Sequence, residues 1–118
     1  MGYMEELENL GVNVAESIDR VMGDEALYRE MLGMFVDSVR ESGISPEEFE
    51  SGDLEGLANR VHMLKGMSGN LSLTPVFESY KEILRLLRDG KPGEAKELAE
   101  KLLPIQEKIV ECIERNRD

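Results

Sequence analysis

Leu57-Ala58-Asn59-Arg60-Val61-His62-Met63-Leu64-Lys65-Gly66-Met67-Ser68-Gly69-Asn70-Leu71-Ser72-Leu73 is the stretch whose reading decides the fold. A helix turns by about 100° per residue, which puts Leu54, Leu57, Val61, Leu64, Ser68 and Leu71 within about 50° of one direction. That is an apolar stripe, and it predicts a helix over about 54–71 that is buried along one side. His62, the single histidine, points about 125° away from the centre of the stripe. It belongs to the wet face, and Gly66 and Gly69 follow it there one and two turns on. A glycine inside a helix costs roughly 1 kcal/mol against alanine. Two on one face imply that the face is kept clear, so that another protein's backbone can come close.

A lone histidine, a lysine at helix spacing or a helical glycine is each unremarkable by itself. Their combination on one face carries the argument. An imidazole is a nucleophile near neutral pH. The ammonium of Lys65, one turn away, can offset negative charge arriving at the ring nitrogen. The gap at Gly66 and Gly69 admits a large surface bearing an electrophile, with Asn59 and Met63 at its edge. This set points to taking a phosphoryl group from a partner protein. A bulky residue at either glycine is expected to weaken that docking without loss of helix stability.

These residues also carry a resemblance. The run His62-Met63-Leu64-Lys65-Gly66-Met67-Ser68-Gly69-Asn70-Leu71 is similar to the signature HxLKGxxxNLG of histidine-containing phosphotransfer (HPt) domains. Upstream, Gly23-Asp24-Glu25-Ala26-Leu27-Tyr28-Arg29-Glu30-Met31-Leu32 with Phe35 resembles a second run of that family, and the likeness spans about residues 10–115. The resemblance implies a phosphorelay intermediate. His62 would take a phosphoryl group from the aspartyl phosphate of a response-regulator receiver domain and pass it to another receiver, with a hybrid histidine kinase as a further partner. Lys65 would screen the phosphoryl oxygens, and Asn59, Met63, Gly66 and Gly69 would form the docking surface. The receiver would supply its own Mg²⁺ and carboxylates. The chain itself would need no cofactor and would not be a kinase.

The rest of the chain fits one domain over 1–118, long enough for a core without disulfide or metal. Hydrophobic residues make up 41% and aromatics 5%, with no tryptophan, so aliphatic side chains and methionine must fill the core. Such a composition suits packed helices better than sheets. Fourteen basic residues face 25 acidic ones, a net charge of −11. That balance disfavours nucleic acid and anionic membrane as partners. The excess is lopsided: residues 1–56 carry a net −12 and residues 57–118 a net +1. Cys112 stands alone and falls on an apolar stripe, which reads as a small buried hydrophobe in a reducing, cytoplasmic setting. No apolar run reaches the ~18 residues of a membrane span. A domain cut from a membrane-tethered kinase would read the same. One histidine without neighbouring ligands makes a metal site an unfavoured reading.

Taken in order, residues 1–12 form an arm or short helix. Asn13 caps a helix over about 14–22, with Val14, Ile18, Val21 and Met22 inward and Gly23 closing it. Asp24 caps the next, which runs to about Glu41 before Gly43. Ser45-Pro46-Glu47-Glu48 has the pattern of a capping box with proline in the first turn. Asp53 caps the histidine helix, and Thr74-Pro75 opens another that ends before Gly90. The last begins near Pro92 and reaches Asn116, with Ala95, Leu98, Leu102, Ile105, Ile109 and Cys112 as its seam and Pro104 expected to bend or split it. The predicted architecture is all-α: an antiparallel four-helix bundle with one or two short additional N-terminal helices, working as a monomer.

Counting from the turn near Leu73 sets His62 level with Leu84 on the following helix, flanked by Lys81, Arg85 and Arg88. These three form a basic edge that is either a solvated rim or added positive potential for phosphoryl oxygens. Many HPt domains carry glutamine or glutamate at the position of Leu84. The hydrogen bond that orients the imidazole would then come from Ser68, Tyr80, water or nothing. Two other readings compete with the relay. One is the phosphotransfer domain of a chemotaxis-type kinase, loaded directly by a nucleotide-bound catalytic domain. The other is a helical adaptor that binds a receiver without carrying phosphate.

Overall fold

In the computed structural model, which describes residues 2–117, the chain forms six α-helices and, among the described residues, no strand. They are α1 (Tyr3–Asn9), α2 (Val14–Arg20), α3 (Glu25–Ser42), α4 (Leu54–Asn70), α5 (Thr74–Arg88) and α6 (Pro92–Asn116), with a 3₁₀ turn at Pro46–Glu50. Helices α3 to α6 make the bundle. α4 packs along α5, α5 along α6, and α3 closes against both α4 and α6. α1 lies on α6, and α2 bridges α1 and α3. The expected bundle with two short N-terminal helices is therefore what the chain adopts.

The helix starts follow the capping chemistry. Asn13 accepts from the Glu16 amide (3.2 Å), Asp24 from Leu27 (3.0 Å) and Asp53 from Gly56 (2.9 Å). Each satisfies an amide that the first turn leaves without a partner. Glu48 reaches back to the Ser45 amide at 2.8 Å, with Pro46 in the first turn. Thr74 does not act as a cap. It lies inside α5, and Leu73 occupies the cap position, so the helix opens with no side-chain cap.

Four helices stop in one manner, with paired bonds from the next two amides back to the last turn. At α1 and α5 the left-handed residue is Gly11 or Gly90. At α2 and α4 it is Met22 (φ 57°) or Ser72 (φ 55°), which lack glycine's freedom. An L-residue held there costs about 1–2 kcal/mol, so something must hold it. For Ser72 the holding groups form part of the site described below. Met22 is 96% exposed, against the inward position expected of it. α2 ends at Arg20, so the helical period no longer applies two residues later.

One cluster of buried side chains runs from Tyr3 to Ile113. Within it Leu57, Val61 and Leu64 of α4 are fully buried, each contributing about 1.5–3 kcal/mol of transfer free energy. The seam of α6 differs from the expected one. Ala95, Ala99, Leu102, Gln106, Ile109 and Ile113 point inward, while Ile105 is 41% exposed and Leu98 half-buried. Gln106 enters the core because its amide oxygen accepts a hydrogen bond from the buried Tyr80 hydroxyl of α5. A periodicity that counts glutamine as polar misses that pairing and settles on its neighbour. Nor does Pro104 split the helix, which runs unbroken from Pro92 to Asn116. Pro104 and Glu100, whose carbonyl loses its usual donor, both lie on the exposed side. Cys112 is buried as expected, and burial followed by its contact with Glu6 pushes its thiol up to about 12.

Candidate functional site

α4 presents two unlike sides. Toward the core go Leu57, Val61, Leu64 and Ser68. Toward solvent go Asn59, His62, Met63, Gly66 and Asn70, a stripe set by the same helical period. His62 is exposed and, among the described residues, makes no hydrogen bond or ion pair within the chain. A side-chain carbon added at Gly66 would meet nothing within 4 Å, so the space one turn beyond the imidazole is open. Lys65 is half-buried on the flank toward α5 and enters no ion pair among the described residues.

Gly69 has a different reason for its small size. A carbon added there would lie 2.9 Å from Cδ1 of Phe77, so the glycine lets α5 seat an aromatic ring against α4. This approach fixes the antiparallel register. Stepping equally from Gly69 and Phe77 sets Lys65 level with Lys81, His62 with Leu84, and Ala58 with Arg88. Leu84 is buried in the core, so no polar group of α5 stands opposite the imidazole. Neither hydroxyl considered for orienting the ring does so. Ser68 donates to the Lys65 carbonyl (3.0 Å) and Tyr80 donates to Gln106. Of the basic edge, Arg85 is tied to Glu82 and Asp89 on its own helix. Lys81 and Arg88 are exposed and, among the described residues, free of ion pairs.

On the α3 side the flank is apolar. Met31, Met34, Met67, Asn70 and Leu71 line a shallow groove of about 150 Å³ between α3 and α4. Met34 is 56% and Met63 39% exposed, and Leu27 extends the same face of α3. The imidazole thus stands between cationic and methionine-rich ground. A flexible thioether surface of that kind adapts to the shape of a partner.

The end of α4 is held by residues that periodicity did not single out. Arg20 of α2 donates to the Asn70 carbonyl (2.9 Å), to Ser72 Oγ (3.0 Å) and to Glu16 Oε1 (2.6 Å). The Ser17 hydroxyl donates to the Asn70 carbonyl (2.9 Å), and Ser72 donates to Glu16 Oε1 (2.8 Å). The buried Tyr28 hydroxyl donates to the Leu71 carbonyl (2.9 Å), and the Asn13 amide to that of Ser72 (3.0 Å). With the Ser72 amide on the Gly69 carbonyl (3.1 Å), every carbonyl from Gly69 to Ser72 has a partner. A buried helix end needs this full accounting. Hydrogen bonding from Ser72, then Arg20, holds the Glu16 carboxyl below its usual value. Burial raises the Tyr28 phenol well above its own. Tyr28 stood out in the sequence as a member of the upstream run, which said nothing of its hydroxyl.

Among the described residues no helix is long and apolar enough to cross a membrane. A family model described as the Hpt domain matches residues 30–116, well over half of the chain. The match takes in α4 and its face, and starts inside the upstream run, leaving Gly23–Arg29 outside. No curated protein and no solved structure matches the chain.

Proposed function

Because this chain belongs to the Hpt family, whose domains carry phosphoryl groups on histidine in two-component signalling, we propose that His62 is the carrier residue of a phosphorelay. A receiver domain bearing an aspartyl phosphate docks over the stripe from Asn59 to Asn70. A ring nitrogen of the neutral imidazole attacks phosphorus in line with the acyl oxygen. The N–P bond forms as the O–P bond breaks, and the receiver's carboxylate leaves with the electron pair. Lys65 neutralises part of the charge on the three phosphoryl oxygens, and Lys81 and Arg88 add positive potential from α5. Transfer to a second receiver is the same displacement in reverse. Positioning and charge neutralisation are all that such a transfer asks of the carrier.

The observation that carries this reading is the exposed, unpartnered imidazole beside the open space at Gly66. The methionine groove supports it, since a docked receiver would cover an apolar patch that otherwise faces water. The test is incubation with phosphorylated receiver domains. Phosphate should appear on the wild-type chain in an acid-labile, base-stable form, as a phosphoramidate requires, and should be absent from His62→Gln. Acid-stable phosphate, or undiminished labelling of the variant, would contradict the assignment.

A further inference from the structure

Beyond the methionine groove, the exposed face of α4 adjoins a second concavity at its C-terminal end. It is a cleft of about 510 Å³ with Gly66, Gly69 and Asn70 along one side and Phe77 and Glu78 of α5 along the other. Glu16 and Arg20 close it from α2. The charges there are not equivalent. Arg20 is engaged by Glu16 and by the carbonyl end of α4, so the two neutralise each other. Glu82, one turn along α5, is paired with Arg85. Glu78 is exposed and, among the described residues, has neither ion pair nor hydrogen bond, although Lys81 lies one turn away. The cleft therefore carries one uncompensated negative charge beside a half-buried aromatic ring. Those are the two groups that a guanidinium engages, by a charged hydrogen bond and by stacking.

Resting on the phosphorelay reading, we propose that this cleft receives a basic side chain of the docked receiver. An arginine would stack on Phe77 and pair with Glu78, and the contact would select which receivers exchange phosphate with His62. Distance permits it. Phe77 is level with Gly69 and Glu78 with Ser68, so the carboxylate lies about 9 Å along the bundle from His62. A standard interface covers about 800 Å² per partner, a disc of roughly 16 Å radius, so a receiver centred on the imidazole spans the cleft. Charge favours it too. The α4–α5 face is positive around Lys65, Lys81 and Arg88 and negative at Glu78, so a matching receiver sets a basic side chain to one side of its own acidic phosphorylation site. A receiver lacking that residue leaves Glu78 unpaired beneath the interface, and one with an acid there is repelled.

Glu78 is on the surface, so substitution leaves the fold in place. A panel of purified receiver domains, phosphorylated with acetyl phosphate, is first screened for those that load wild-type His62. With these, Glu78→Lys should raise the KM for phosphoryl transfer roughly fivefold to tenfold and Glu78→Gln about twofold, with kcat unchanged. The difference should shrink at high salt. Loading of His62 by phosphoramidate, which needs no docking, should be the same in all three proteins. If receivers load the wild type and Glu78→Lys with equal KM, the cleft proposal is overturned and the phosphorelay reading stands. If no receiver loads the wild type, both fall together.

Discussion

The middle and the end of α4 are only two turns apart, and they are built on opposite terms. From Gly69 to Ser72 every backbone carbonyl has a donor, and three hydroxyls and a guanidinium from α2, α3 and the α4–α5 turn converge there. Around His62 and Gly66 the side chains have no partner within the molecule among the described residues. The difference teaches how an exposed side chain can be held in place without being enclosed. The helix is pinned where it ends, so under the proposed relay the imidazole need not be pinned where it would react. Its missing contacts would then fall to the docked receiver.

The comparison can be broken hardest at the pinned end. Tyr28→Phe removes the only side-chain donor to the Leu71 carbonyl among the described residues and leaves it buried and unpaired, so unfolding in urea should show a loss of about 2 kcal/mol. A loss below about 0.5 kcal/mol, within the scatter of surface substitutions, would mean the clasp is ornamental. At the bare centre, Lys65→Ala should slow transfer from a phosphorylated receiver about tenfold, equivalent to some 1.4 kcal/mol, with the melting temperature unmoved. An unchanged rate would remove its screening role.

The two glycines sharpen the boundary between the regions. Gly66→Ala enters open space and should stabilise the helix by up to about 1 kcal/mol, whereas Gly66→Leu should weaken receiver docking. Gly69→Ala must displace the Phe77 ring, so it should destabilise the protein despite the better helix former. Equal effects on stability would mean the ring yields freely. The smallest effect concerns pH. The Glu16 carboxyl lies below its ordinary value of 4.5 in the folded chain. Its contribution is therefore complete above that value and is lost as pH falls through the lowered native one. Glu16→Gln should show a shallower fall in melting temperature than the wild type between about pH 5 and 3. Parallel curves would place the acid sensitivity elsewhere, for example at Asp37 or Glu48, whose carboxyls are lowered by Arg117 and Arg60.

Much of the architecture was legible because its determinants are local. Asn13, Asp24 and Asp53 announce helix starts by chemistry confined to three residues, and the stripe of α4 follows from spacing alone. The exposed placement of His62 was legible for the same reason, since the helical period alone sets it on the wet side with Gly66 one turn behind. Two of the misreadings, at Gln106 and Gly69, have a common cause in long-range pairing. Gln106 is inward only because Tyr80, on another helix, completes it. Gly69 is small because a side chain there would meet Phe77, so a bulky residue is no longer expected to leave stability intact. The groups that hold α4, Ser17 and Arg20 against Asn70 and Ser72, are separated by fifty residues or more and leave no periodic trace. Met22 was misplaced by extending a helical period beyond the point where the helix stops.

Cys112 has a practical consequence. Its sulfur is sealed in the core and holds its proton until about pH 12, so thiol-directed reagents at neutral pH will pass it by. A single cysteine introduced on the outer rim of α4 can then carry a fluorophore or spin label against a silent background. Arrival and departure of a binding partner become directly observable without first stripping the chain of its native sulfur.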